Sequence, residues 1–172
     1  MDDRSPCEGC GFVFAEVSPA DLGDGLRVAA AAFVDLLTGT ARAALVRRAE
    51  PDVWSPLEYA CHARDVVLNL RDRVLLAQVE DGPVFPPMYR HHRLVLARYI
   101  EEDARVVADG IRVGADLLAW VVAGLDADQL ARPGTYGGVE RDALWIARHA
   151  LHEARHHALD AQRGIALPST FR

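Results

Sequence analysis

The sequence predicts an all-α fold, a four-helix bundle with one long crossover between the second and third helices. Two observations carry this reading: four long stretches repeat apolar residues at three- and four-residue spacing, and Gly and Pro fall mostly between those stretches. A third is size. The chain has 172 residues, 51% of them hydrophobic and 26% charged, enough for one compact domain that buries roughly 70% of its unfolded surface without disulfide staples.

The first helix is expected from about Pro19 to Ala44, with Ser18 as cap and Pro19 at the first helical position. The second opens on Ser55-Pro56-Leu57-Glu58, where Ser55 caps and the Glu58 carboxylate reaches back to the cap N–H, and it runs to about Val79 before Asp81-Gly82-Pro83. A Pro-containing crossover, Val84 to Met88, leads into Tyr89–Tyr99, which reads as either a short helix or an ordered loop. The third helix spans about Asp103 to Leu125. The turn-rich loop Arg132 to Gly138 precedes a fourth from about Glu140 to Gly164. Residues 1–17 are expected to form an N-terminal extension carrying Cys7-x-x-Cys10, and 18–172 the bundle.

Charge and composition exclude several partner classes. A net charge of −6 and a pI near 5.6 argue against nucleic acid and anionic membranes. No apolar run reaches the roughly 18 residues a membrane span needs, and the N-terminus lacks the basic-then-apolar order of a secretory signal. The cytoplasm is the expected compartment. Three cysteines, Cys7, Cys10 and Cys61, do not suggest a disulfide framework there.

The histidines carry the chemical information. Of seven, four lie at 149, 152, 156 and 157 in the last helix, and Trp145, His149, His152 and His156 fall on one helical stripe. His152 and His156 have the i, i+4 spacing that lets two imidazoles meet one metal ion. His152-Glu153-Ala154-Arg155-His156 also spells the H-E-x-x-H string, with Glu153 where zinc proteases keep a general base, although nothing else in the chain suggests a protease. The second helix carries a polar stripe of Glu58, His62, Asp65 and Asn69. With the second and fourth helices as neighbours, His62 would face His152 and His156, giving three nitrogen ligands and an open position.

Trp54-Ser55-Pro56-Leu57-Glu58 leading to His62, followed by Trp145 to His157 with its H-x-x-x-H-H exit, resembles the DinB/YfiT-like superfamily over about residues 18–164. The resemblance implies an antiparallel four-helix bundle binding a divalent metal, zinc first, nickel or another transition metal next, through His62, His152 and His156. Relatives include mycothiol-dependent maleylpyruvate isomerase and bacillithiol S-transferases, so it further implies a metal-dependent thiol transferase or isomerase. A low-molecular-weight thiol or an electrophile would be the partner, and a homodimer is expected. Metal-assisted hydrolysis and a non-catalytic, stress-associated metal bundle are the alternatives.

Around the three ligands, His149 reads as a fourth ligand, a proton shuttle or, by preference, a residue that orients bound water. His149 and Glu153 are the candidate proton acceptors. His157, rotated about 100° from His156, reads as a packing or hydrogen-bonded residue. Glu58 and Asp65 are candidates to hold the far ring N–H of a ligand histidine, with Glu58 already committed to the cap. Cys7-x-x-Cys10 suits half a zinc knuckle, a redox pair or a plain turn; a mixed site with Cys61 or a histidine requires the segment to fold back. Cys61 reads as a small core residue. Met88-Tyr89-Arg90-His91-His92-Arg93 suits an anion-binding mouth, a solvated loop or a dimer contact.

Overall fold

The computed structural model describes residues 3–166; Met1, Asp2 and the last six residues of the expected bundle domain, 167–172, lie outside the described residues. Its helices are α1 (Pro19–Gly39), α2 (Arg42–Leu45), α3 (Pro56–Val79), α4 (Arg90–Leu96), α5 (Ala104–Ala123), α6 (Ala127–Leu130) and α7 (Ala143–Ala166). The four long ones, α1, α3, α5 and α7, make the expected four-helix bundle. α1 packs chiefly on α5, and α3 chiefly on α7, the pairing on which the interhelical site depends. Among the described residues no helix is long and apolar enough to cross a membrane.

Local chemistry fixes where the helices start. The Ser18 hydroxyl accepts from the Asp21 N–H (3.3 Å) with Pro19 next in the chain, and Leu22, Leu26, Ala29, Ala30, Phe33 and Leu37 then form the buried stripe of α1. At the start of α3 the capping box is complete: the Glu58 N–H donates to the Ser55 hydroxyl (3.3 Å) and the Ser55 N–H to the Glu58 carboxylate (2.7 Å). Glu58 is 2% exposed, and its remaining negative charge meets the Arg48 guanidinium through two hydrogen bonds of 2.5 and 2.8 Å. α7 opens where the Asp142 carboxylate accepts from the Trp145 N–H (2.6 Å).

Two parts depart from the expectation. The first helix ends at Gly39, five residues early, and the chain resumes as the single turn α2. The region read as a loop and helix start is a small sheet: β1 (Val84–Phe85) runs parallel to β2 (Pro133–Tyr136), which pairs antiparallel with β3 (Val139–Asp142). Gly137 and Gly138, at φ 60° and 81°, make the two-residue hairpin turn that lets β3 return. A Cβ at Gly134 would stand 2.5 Å from the Phe85 ring, so the backbone of β2 lies directly on that ring. The sheet and the crossover close one side of the bundle, with the Arg73 guanidinium between the Phe85 and Tyr136 rings (5.6 and 5.0 Å to their centroids). In the crossover, α4 is bracketed by Tyr89 and Arg98, both at φ 51°, an uncommon backbone for residues with side chains.

The Glu58 site yields a stability prediction. Burial pushes its carboxyl up, but Arg48 and the Ser55 N–H and hydroxyl outweigh it and hold Glu58 below the usual carboxylate range. A depressed folded pKa means stability that is present above the unfolded value and lost as the pH falls through the folded one. Glu58→Gln keeps a capping oxygen but loses the charge, and should cost about 1–2 kcal/mol at neutral pH, discounted because Arg48 is partly solvated. Urea unfolding across pH should show this gap intact above about pH 5 and fading below the ordinary glutamate range.

Candidate metal centre

α7 carries donors on two adjacent stripes, because i, i+4 pairs beginning at 152 and at 153 point about 100° apart. The second stripe faces α3. One donor atom from each of His62, Glu153 and His157 lies within 4.8 Å of the other two. Glu153 Oε2 is 3.9 Å from His62 Nε2 and 3.4 Å from His157 Nε2, so both imidazoles aim the same nitrogen at one carboxylate oxygen. The His157 Nδ1 is 3.1 Å from Asp160 Oδ2, which fixes the ring with Nε2 forward.

Aromatic packing holds these rings. His62 sits edge-on to Trp54 (5.1 Å) and His157 stacks on Tyr59 (5.3 Å). His62 is 3% exposed and its Nδ1 has no hydrogen-bond partner. Burial, reinforced by the neighbouring His157, pushes its pKa down to about 4, so at neutral pH it presents a free lone pair. Burial opposes the charge on Glu153, but His152 and His157 overcome it and keep the carboxyl ionised far below the usual range. For His157, too, burial opposes charge, while Asp160 and Glu153 outweigh it and raise the pKa to about 9. A buried neutral imidazole, a fixed carboxylate and an imidazole oriented by a second carboxylate suit one divalent cation, which would take the place of the His157 proton.

The site opens into a cleft of about 570 Å³ whose wall includes His62, Glu153, His149, Tyr136, Arg90 and His91. His149 stacks against Trp145 (4.9 Å) and meets the Tyr136 ring edge-on (5.2 Å). Its Nδ1 is unpartnered, and burial lowers its pKa to about 4.

The structure therefore separates the three histidines expected on one ion. His62 joins Glu153 and His157, whereas His152 and His156 gather with Cys7 and Cys10 on the adjacent stripe of α7. The spacing is the same on both stripes, and only the rotation of α7 against α3 selects between them. His157, read as a packing residue, was signalled by the last letter of the H-x-x-x-H-H pattern and by Asp160 three residues on. Neither carboxylate expected behind His62 is hydrogen-bonded to it. Glu58 is spent on Ser55 and Arg48, and Asp65 accepts from the Tyr99 hydroxyl (2.6 Å) and Arg64 (2.9 Å). Cys61 is fully buried, as expected of a core residue.

Residues 26–161 match the family model of the DinB superfamily. No curated protein sequence matches the chain. Among solved structures, YfiT from Bacillus subtilis, described as a probable metal-dependent hydrolase with an unusual four-helix bundle topology, superimposes with a TM-score of 0.80. The match covers 87% of this chain and 88% of that one at 13% identity, a likeness of fold.

Calorimetric titration with Zn²⁺ or Ni²⁺ tests the His62 cluster. His62→Ala should weaken one binding event by at least about tenfold with the helical circular dichroism unchanged; equal affinity would remove His62 from the ligand set.

Proposed function

The chain belongs to the DinB superfamily, and we propose that it is a metal-dependent enzyme whose ion is held by His62, Glu153 and His157 and which acts on a small anionic substrate. The observation that carries the reading is the convergence of those three donors, two of which, His62 and Glu153, line the wall of an open cleft, since three protein ligands with a free position distinguish a catalytic from a closed site. Zinc suits two imidazoles and one carboxylate, with nickel the next choice. When bound, the ion would supply a Lewis acid that makes a water or thiol in the cleft nucleophilic at neutral pH.

The chain's own groups supply the rest. Arg90, His91 and His92 line the cleft beside Tyr89 and Tyr136 and favour a substrate carrying negative charge. His149 lines the same cleft, is neutral at pH 7, and is the group to take the proton released by the nucleophile. Asp160 keeps His157 turned toward the ion's position, and Trp54 and Tyr59 keep both rings from rotating away.

Water as the nucleophile makes the protein a hydrolase. A thiol as the nucleophile makes it an S-transferase or isomerase, and the cleft volume favours this second reading, because about 570 Å³ has room for a thiol beside its electrophile. Zinc- and nickel-loaded protein should be assayed against a panel of anionic esters and amides and, separately, for thiol consumption with mycothiol or bacillithiol and an electrophile. Turnover should need metal. His149→Gln should lower kcat by about 10²–10⁴-fold with metal uptake intact, and Arg90→Ala should raise KM with little change in kcat. Rates that are equal with and without metal would overturn the reading.

A further inference from the structure

A second cluster of metal-ligating side chains lies where the N-terminal segment folds back onto α7. The segment is firmly docked: Trp145 Nε1 donates to Asp3 (3.0 Å), Arg148 to the Val17 carbonyl (2.8 Å) and Arg163 to the Gly9 carbonyl (2.8 Å). Phe12 and Phe14 are buried, with the His152 ring 5.4 and 5.3 Å from theirs. Between these anchors the chain makes a tight knuckle. The N–H groups of Gly11 and Cys10 donate to the Cys7 carbonyl (2.7 and 3.3 Å), the Cys7 N–H donates to the Phe12 carbonyl (2.9 Å), and Gly11 takes φ 70°. A Cβ at Gly9 would lie 2.5 Å from His156 Cε1, so the knuckle rests on that imidazole.

One donor atom from each of Cys7, Cys10, His152 and His156 lies within 4.8 Å of the other three. Cys7 Sγ is 3.5 Å from His156 Nδ1. A tetrahedral zinc with bonds of about 2.3 Å to sulfur and 2.0–2.1 Å to nitrogen has S···N edges of about 3.5 Å. Each imidazole has a carboxylate behind it. Asp160 Oδ2 is 3.4 Å from His156 Nε2, and Glu153 Oε1 is 3.3 Å from His152 Nδ1, which leaves His152 Nε2 for a ligand. His152 is 6% exposed and its Nε2 makes no hydrogen bond, a costly state for a buried ring nitrogen unless something else engages it.

We propose that Cys7, Cys10, His152 and His156 form a closed Cys₂His₂ zinc site that staples the N-terminal segment to the last helix. Two thiolates and two neutral imidazoles around Zn²⁺ sum to zero charge, which suits a partly buried position, and sulfur donors select zinc over magnesium or calcium. Binding releases the two thiol protons. A disulfide between Cys7 and Cys10 would instead leave both imidazoles without a ligand. The site uses a donor set of its own and is distinguished from the His62 centre by its sulfur.

The test uses the full chain purified under reducing conditions, with His62→Ala as the background that silences the other centre. After Co²⁺ loading, this variant should show a sulfur-to-cobalt charge-transfer band, and its zinc form should hold about one equivalent with two S and two N neighbours by X-ray absorption. Adding Cys7→Ser and Cys10→Ser should abolish the band and release that equivalent. Zinc seen only by nitrogen and oxygen, the absence of a band in the parent, or a Cys7–Cys10 disulfide that persists under reductant would each overturn the proposal. The X-ray absorption measurement needs no cysteine variant, so misfolding of the serine form does not blunt it.

Discussion

Glu153 keeps a negative charge inside the bundle, and the imidazoles around it are arranged by that charge. Oε2 faces His62 and His157, while Oε1 faces His152. A mostly buried carboxylate stays ionised where cations or hydrogen-bond donors surround it. The protein answers with three histidines from α7, His149, His152 and His157, and His62 from α3. Imidazole is the side chain that can give up its proton to a metal near neutral pH, so a neighbourhood built to hold Glu153 ionised is also one prepared for divalent ions.

The same residue links the two donor clusters. On the α3 side, Glu153 stands among the prospective ligands; on the N-terminal side it stands behind His152 and sets which ring nitrogen is free. Asp160 repeats this pattern one turn later, with Oδ2 near both His156 Nε2 and His157 Nδ1. Each carboxylate therefore serves both stripes of α7, and a substitution at either should be felt on both faces. Aromatic rings from four segments, Phe12 and Phe14, Trp54 and Tyr59, Tyr136, and Trp145, then enclose the imidazoles and keep them from turning.

What the sequence made legible follows from the range of the forces involved. Ser55, Pro56 and Glu58 act within four residues, so the start of α3 can be read directly, and the end at Val79 follows from Gly82 and Pro83. The identity of the interhelical donors was half legible. His62 and the density of histidines pointed to α3 and α7, where the structure gathers its donor groups, but i, i+4 spacing is blind to helix rotation, and 152/156 and 153/157 are equivalent until α7 is packed. The sheet was hidden because β1 has two residues and pairs with a strand some fifty positions away, too short for any alternation to register. The return of Cys7 and Cys10 to α7 rests on Phe12, Phe14 and Asp3 finding partners more than 130 residues distant, which no local pattern encodes.

That separation has a bearing on how the chain reaches its native state. Asp3 meets Arg141 and Trp145, and Gly9 meets Arg163, so the N-terminal segment has its partners in α7 and the strand just before it. Loop closure over such a span is slow compared with forming α1 or α3. During synthesis Phe12, Phe14 and both thiols must wait, uncovered, until α7 has emerged from the ribosome and coiled. The N-terminal segment thus acts as a latch that closes over a finished bundle, and a chain cut short before α7 has nothing for it to fasten to.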